Sequence, residues 1–374
     1  MLSRLGQRVA AGAVVVLAAV AAVGLPQGYR AAQLLAAADD PARLSDVALE
    51  GRFDAATAER EIDAALAAGD PELAASFVEL ARDRAVKLDP AQVAAVEDAV
   101  AREAAPAAGA RRFAHGLVTG EPDDLAGLAG AATGDLFVFG DVRDALREGV
   151  RMARGEEVDE LILGLACVGL TVTAATYATA GVGAPARVGL SVLKAARRTG
   201  RLGTRLGEGL VRAVRASIDG PALREGVRHA VLQPALAVRS VRAAVKTDKM
   251  RGLVRMVGDV GRIQGKAGTR AALDAVKLAD EPKDVARLAR LADAKGGKTR
   301  AVLKILGRGA IMLTTGLFEL ATAVLAAILN VIGFCAAVKA TTERLALRAI
   351  RRRKQHRAAQ QARAALLAGA AAAG

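Results

Sequence analysis

The residue whose type and setting most suggest chemistry is a lone carboxylate. From Gly309 to Val338 the chain runs 30 residues with a single charge, Glu319. A carboxylate in such a stretch is expensive to hold in lipid and is a functional candidate by default, as an ion relay or as the centre of a pore or enzyme site. The stretch contains no Lys or Arg to pair with it, so a protonated, inert Glu319 is the simpler expectation. Other look-alikes fail on context. Gly296-Gly297-Lys298-Thr299 ends like a phosphate-binding loop, but the first glycine of that motif would fall at Ala292 and no strand precedes it. Gly181 to Ala186 imitates a dinucleotide fingerprint, yet Pro185 and the lack of a strand–helix–strand unit argue against it. His115, His229 and His356 have no Cys or Asp neighbours at ligand spacing, and Cys167 and Cys335 read as small buried hydrophobes in separate apolar stretches. No cofactor, no metal and no catalytic residue is expected, and the chain is read as a non-enzyme.

The elements that would position any site are helices. The 374 residues are 53% apolar but only 2% aromatic, with 39 Gly and no Trp, a composition that packs helices through small side chains and suits a large sheet poorly. The fold class expected is all-α. Three uncharged stretches make it an integral membrane protein on the usual length rule of about 20 apolar residues per crossing. Val9–Leu25, after Arg4 and Arg8, reads as a signal anchor or signal peptide (1–25). Residues 161–186 read as a transmembrane segment, and 309–338 as a transmembrane or re-entrant segment in which Glu319 and Asn330 would need protein or water around them. The alternative is a pair of buried hairpins in a large helical bundle.

Charge is divided sharply along the chain. Residues 26–160 hold 14 basic and 27 acidic groups, residues 187–308 hold 28 basic and 10 acidic, and residues 339–374 nine basic and one acidic. Basic residues near span ends collect on the cytoplasmic side. That rule places 26–105, an acidic helical bundle, outside a bacterial inner membrane, joined to it by a linker and helix at 106–160. It places 187–308 inside, with 339–374 as a basic C-terminal helix. A single crossing by 309–338 would then strand that last basic helix outside, a conflict the charges alone do not resolve.

Local patterns fill in this plan. Asp40-Pro41, Asp70-Pro71 and Asp89-Pro90 each set a capping carboxylate before a proline at the first helical position. Ile62 and Leu66, then Leu73, Phe77, Leu80 and Ala81, then Val93, Val96 and Val100 mark successive helices. Thr171, Ala175, Thr179 and Gly183 form a small-residue stripe suited to close helix packing in lipid. Beyond it, Val188, Val192, Ala195, Thr199, Leu202 and Leu206 oppose Lys194, Arg198, Arg201 and Arg205. That is the pattern of a basic amphipathic helix on anionic lipid, or equally of a bundle helix with a solvated basic face. Nucleic acid is disfavoured because 187–308 has no aromatic residue for stacking. The expected role is a structural or interaction component of the envelope, with anionic lipid on the basic helices and a protein partner on the acidic region. The rival is a pore, transporter or enzyme built on Glu319.

Overall fold

The computed structural model describes residues 12, 15, 18, 19, 22, 26, 28–105, 141, 144, 145, 147–149, 151, 154–178, 184–222, 246–312 and 317–372, with backbone alone at 171–178, 184, 247–248, 317–321, 349 and 362–372. Those residues are all-helical and include no strand. They divide into two units, Ala37–Met312 and a second made of Met1–Ala36 with Leu313–Gly374.

The larger unit opens with four short helices, α1 (Pro41–Leu49), α2 (Ala55–Ala67), α3 (Pro71–Asp83) and α4 (Pro90–Ala104). Each start is fixed by an aspartate. Asp40 accepts from the Ala42 N–H, Asp54 from Thr57, Asp70 from Leu73 and Asp89 from Ala91. Each bond satisfies one of the donors a helix leaves unpaired at its start. The stripes read from the sequence face inward at Ile62, Phe77, Leu80, Ala81 and Val96, while Val100 is exposed. Phe77 stacks on Phe53 with ring centroids 6.5 Å apart.

Seven more helices follow among the described residues of this unit: α5 (Glu160–Ala178), α6 (Ala184–Arg198), α7 (Thr204–Ser217), α8 (Thr247–Ala267), α9 (Thr269–Leu278), α10 (Pro282–Lys295) and α11 (Thr299–Leu306). α8 is the centre and packs on α6, α7, α9 and α10. α6 and α8 meet backbone to backbone. A Cβ on Gly189 would strike the Val257 carbonyl, and one on Gly261 would strike the Pro185 carbonyl. Val257, Val260 and Ile263 of α8 and Leu288 and Leu291 of α10 are fully enclosed.

Two features of the packing differ from the sequence reading. The described side chains of the 161–186 stretch are not set apart from the other helices. Leu161 to Leu170 is buried throughout, packed against α6 and α7, and α6 begins within the same apolar run. Nor do the acidic and basic regions lie apart. One hydrophobic core runs from Leu49 to Ile311, with α3 on α11 and α1 on α10. Acidic residues of the first region and basic residues of the second pair directly within this core, as Asp70 does with Arg270 and Arg300 and Asp46 with Lys295. Hydropathy alone cannot separate these cases, because a helix enclosed on all sides by other helices is as apolar as one enclosed by lipid.

The second unit contains α12 (Leu317–Ala372), a helix of 56 residues. The described positions from Gly12 to Ala36 are helical as well, and Gly28 lets this stretch approach Ala327 of α12, where a Cβ would collide. Within α12 the stretch Thr322–Gln361 is long and apolar enough to cross a membrane. The backbone crossing of α6 and α8 supplies a direct test of the larger unit. Gly261→Val should lower its stability by about 2 kcal/mol or more, as overpacking a close helix contact does, whereas Gly265→Ala on the same helix, where a Cβ meets nothing within 4 Å, should be neutral or stabilising in denaturant titrations.

Candidate functional site

The ion pairs that join the acidic to the basic segments converge on Asp70. Its carboxylate caps α3 and also receives both terminal nitrogens of Arg300, each at 2.8 Å, and Arg270 at 3.0 Å. Arg300 donates further to Asp274 at 3.0 Å, and Arg270 to Glu103 at 2.6 Å. The Arg300 side chain is only 6% exposed, so its charge depends on these partners. Burial alone would raise the Asp70 carboxyl, but the Arg300 hydrogen bonds and charge, the Leu73 N–H and Arg270 outweigh it and hold the group at about 2. Around the hub, Asp46 meets Lys295 at 2.6 Å and Asp83 meets Lys298 at 2.6 Å. Ser76 donates to the Gly297 carbonyl and accepts from the Ala301 N–H. The Gly296–Lys298 segment that resembles a phosphate loop is thus a single 3₁₀ turn between α10 and α11, with its lysine already paired.

Above the hub lies a cleft of two adjoining hollows, about 620 Å³ and about 340 Å³, that share Ala68, Asp70, Asp274, Lys277 and Arg300. The smaller adds Arg201 and Arg270, and the larger adds Lys304 against a wall containing Leu73, Leu278 and Leu303. Arg201 reaches the cleft through a turn that glycine permits. Gly200 takes φ +68° after α6, and the Gly203 N–H then donates to the Val276 carbonyl, laying residues 200–203 across the end of α9.

The residues expected at a membrane surface are dispersed. The helix anticipated from Val188 to Leu206 is broken at Gly200, which separates α6 from α7. Lys194 is 7% exposed and donates to Asp141 at 2.5 Å and Asp144 at 3.0 Å, and Arg198 grips Asp144 at 2.9 Å. Burial raises the Asp141 carboxyl, with Lys194 opposing the shift. Lys194 is therefore a core ion-pair residue, and the expectation that it contacts lipid is corrected. Arg205 is exposed and reaches Asp280 at 3.4 Å. Only Arg201 of the four is exposed without an ion pair among the described residues. Of the small-residue stripe, Thr171 and Ala175 lie on the backbone-only part of α5, and Thr179 and Gly183 lie outside the described residues, as do His115 and His229. Cys167 is buried, which pushes its thiol up to about 12, and Cys335 is exposed. Among the described residues no cluster of His, Cys, Asp or Glu could hold a metal ion.

Glu319 lies on the backbone-only part of α12. Ala310 and Ile311, from the same apolar run in sequence, belong to the core of the larger unit. Further along, Leu325, Ile328, Leu329 and Ile332 are 56%, 51%, 59% and 58% exposed. Polar side chains of this stretch bond to their own helix: Asn330 to the Ala326 carbonyl at 2.9 Å, Thr341 to Ala337 at 2.7 Å and Thr342 to Val338 at 2.8 Å.

The Asp70 hub was not visible in the sequence as more than a helix cap. The imbalance of −13 against +18 is compatible with it but does not point to it, since such charges attract within a chain as readily as they separate across a membrane. Asp70→Asn keeps the cap but removes the charge, and should cost about 3 kcal/mol by leaving Arg300 under-neutralised. Because the folded carboxyl titrates below its unfolded value, its contribution is complete at neutral pH and fades between about pH 4 and pH 2. Acid unfolding of the parent in that window, flattened in Asp70→Asn, is the expected result in circular dichroism.

No protein-family model, no curated protein and no solved structure matches this chain, so the arrangement of its charges and apolar surfaces carries the functional reading.

Proposed function

We propose that the chain is a membrane-anchored scaffold of a bacterial inner membrane, in which α12 and the N-terminal apolar stretch are the anchor and residues 37–312 form a helical interaction module on one side. The observation that carries this reading is the row of exposed large aliphatic side chains on α12, Leu325 to Ile332. In water such a surface is a strong aggregation liability, and in a bilayer it needs no cover. The self-bonded Asn330, Thr341 and Thr342 support the reading, because side chains in lipid must find partners within their own helix or its neighbours.

If 161–186 packs as its described part Leu161–Leu170 does, the charge conflict in the sequence disappears. Arg4 and Arg8 precede one apolar stretch, and Lys339, Arg344, Arg348 and the run Arg351 to Lys354 follow the other. If each stretch crosses once, both sets of cations lie on the cytoplasmic face and residues 37–312 lie outside together. Anionic lipid contact then belongs to the exposed run Arg351, Arg352, Arg353 and Lys354 rather than to Lys194 and Arg198.

Reporter fusions test the topology. Fusions near residues 110 and 250 should both report the external side and a fusion after residue 374 the cytoplasm; opposite signals at 110 and 250 would overturn the proposal. The lipid contact is tested on vesicles containing phosphatidylglycerol, where changing Arg351, Arg352 and Arg353 to Gln should weaken binding at low salt by about tenfold or more, at roughly 1 kcal/mol per basic residue.

A further inference from the structure

The smaller hollow of the cleft above Asp70 has an unbalanced lining, with Arg201, Arg270, Lys277 and Arg300 against Asp70 and Asp274, while Glu61 lines the larger hollow. Arg270 and Arg300 are held by Asp70, Glu72, Asp274 and Glu103. Arg201, Lys277 and Lys304 are exposed and have no ion pair among the described residues. Lys277 and Lys304 each stand in the last turn of a helix, whose carbonyl end favours a cation and accounts for the presence of each lysine singly. It does not account for Arg201, which the Gly200–Gly203 turn carries to the same hollow as Lys277. Beneath these cations lies a rigid floor, the Asp70–Arg300 pair, and beside them the apolar wall of Leu73, Leu278 and Leu303. A cleft of about 620 Å³ is of a size that holds small ligands.

We propose that this cleft binds a small aliphatic phosphate monoester, with the phosphate between Arg201 and Lys277, Lys304 at the rim, and the carbon chain along Leu73, Leu278 and Leu303. Unpaired cations beside a low-dielectric wall suit a doubly charged anion. Among the described residues the lining contains no aromatic side chain on which a base could stack, so an aliphatic ester fits better than a nucleotide. The same chemistry is presented by a soluble sugar or glycerol phosphate and by the headgroup of a phosphatidate. The site is independent of the membrane anchor, and its failure would leave that reading untouched.

The test is calorimetric titration of the full chain in a neutral detergent with inorganic phosphate, butyl phosphate, glycerol phosphate and dihexanoyl phosphatidic acid. Butyl phosphate should bind at one saturable site, more tightly than inorganic phosphate. Arg201→Gln and Lys277→Gln should each weaken it by about tenfold, as loss of a charge-assisted bond does. Lys87→Gln, an exposed lysine outside the lining, should leave it unchanged. Both replaced cations are solvent-exposed, and matching thermal melts confirm that the variants fold, with Lys304→Gln as a further variant. Tighter binding of glycerol phosphate than of the phosphatidate identifies a soluble ligand, and the reverse a lipid headgroup; either upholds the site. Absence of saturable binding, equal affinity for inorganic and butyl phosphate, or binding that survives both replacements would overturn it.

Discussion

The larger unit depends on one electrostatic arrangement, the Asp70 carboxylate shared between a helix start and two arginines. An aspartate before a proline needs only its local N–H groups to begin a helix. Here the same oxygens also draw in Arg270 of α9 and Arg300 of α11, whose positions lie some 200 residues further along the chain. A nearly buried guanidinium such as Arg300 is tolerable only with its counter-charges in place. The contact therefore specifies which face of α3 meets α11 more sharply than apolar packing among alanines could. Small side chains give close approach but little shape, and in a core poor in aromatics the charged pairs supply the missing specificity.

The proposed anchor rests on a different constraint. α12 leaves its aliphatic side chains uncovered while its polar side chains bond to their own backbone, whereas the comparably apolar Leu161–Leu170 is enclosed. Composition does not distinguish them. What distinguishes them is the number of amphipathic neighbours: α6 and α7 each offer an apolar face to α5, and the larger unit needs its hydrophobic centre to be apolar on all sides.

Much of the local structure was legible in the sequence. The Asp-Pro pairs mark three helix starts, those of α1, α3 and α4. These features are local, set by capping geometry and by the missing N–H of proline. The pairing of distant segments was not legible, because net charge has no direction. Acidic residues 26–160 and basic residues 187–308 could separate across a bilayer or bind each other, and no local spacing distinguishes the two. Arg201 was legible as a basic position but not as part of a cleft, since its place depends on the left-handed turn at Gly200 and on where α9 ends. Lys277 and Lys304 carried no sequence signal beyond ordinary helix-end cations.

The length of α12 has a mechanical consequence. At 1.5 Å per residue its 56 residues form a rod about 84 Å long, of which a bilayer core would enclose about 30 Å. Because one continuous helix carries both the aliphatic stretch and the basic run, a part inserted in a bilayer would act as the short arm of a lever. A change of about 20° in tilt, within the ordinary range for a membrane helix, would swing a point 50 Å along the free arm through roughly 17 Å. Bilayer thickness, which sets the tilt, would thereby be converted into the reach of a charged arm.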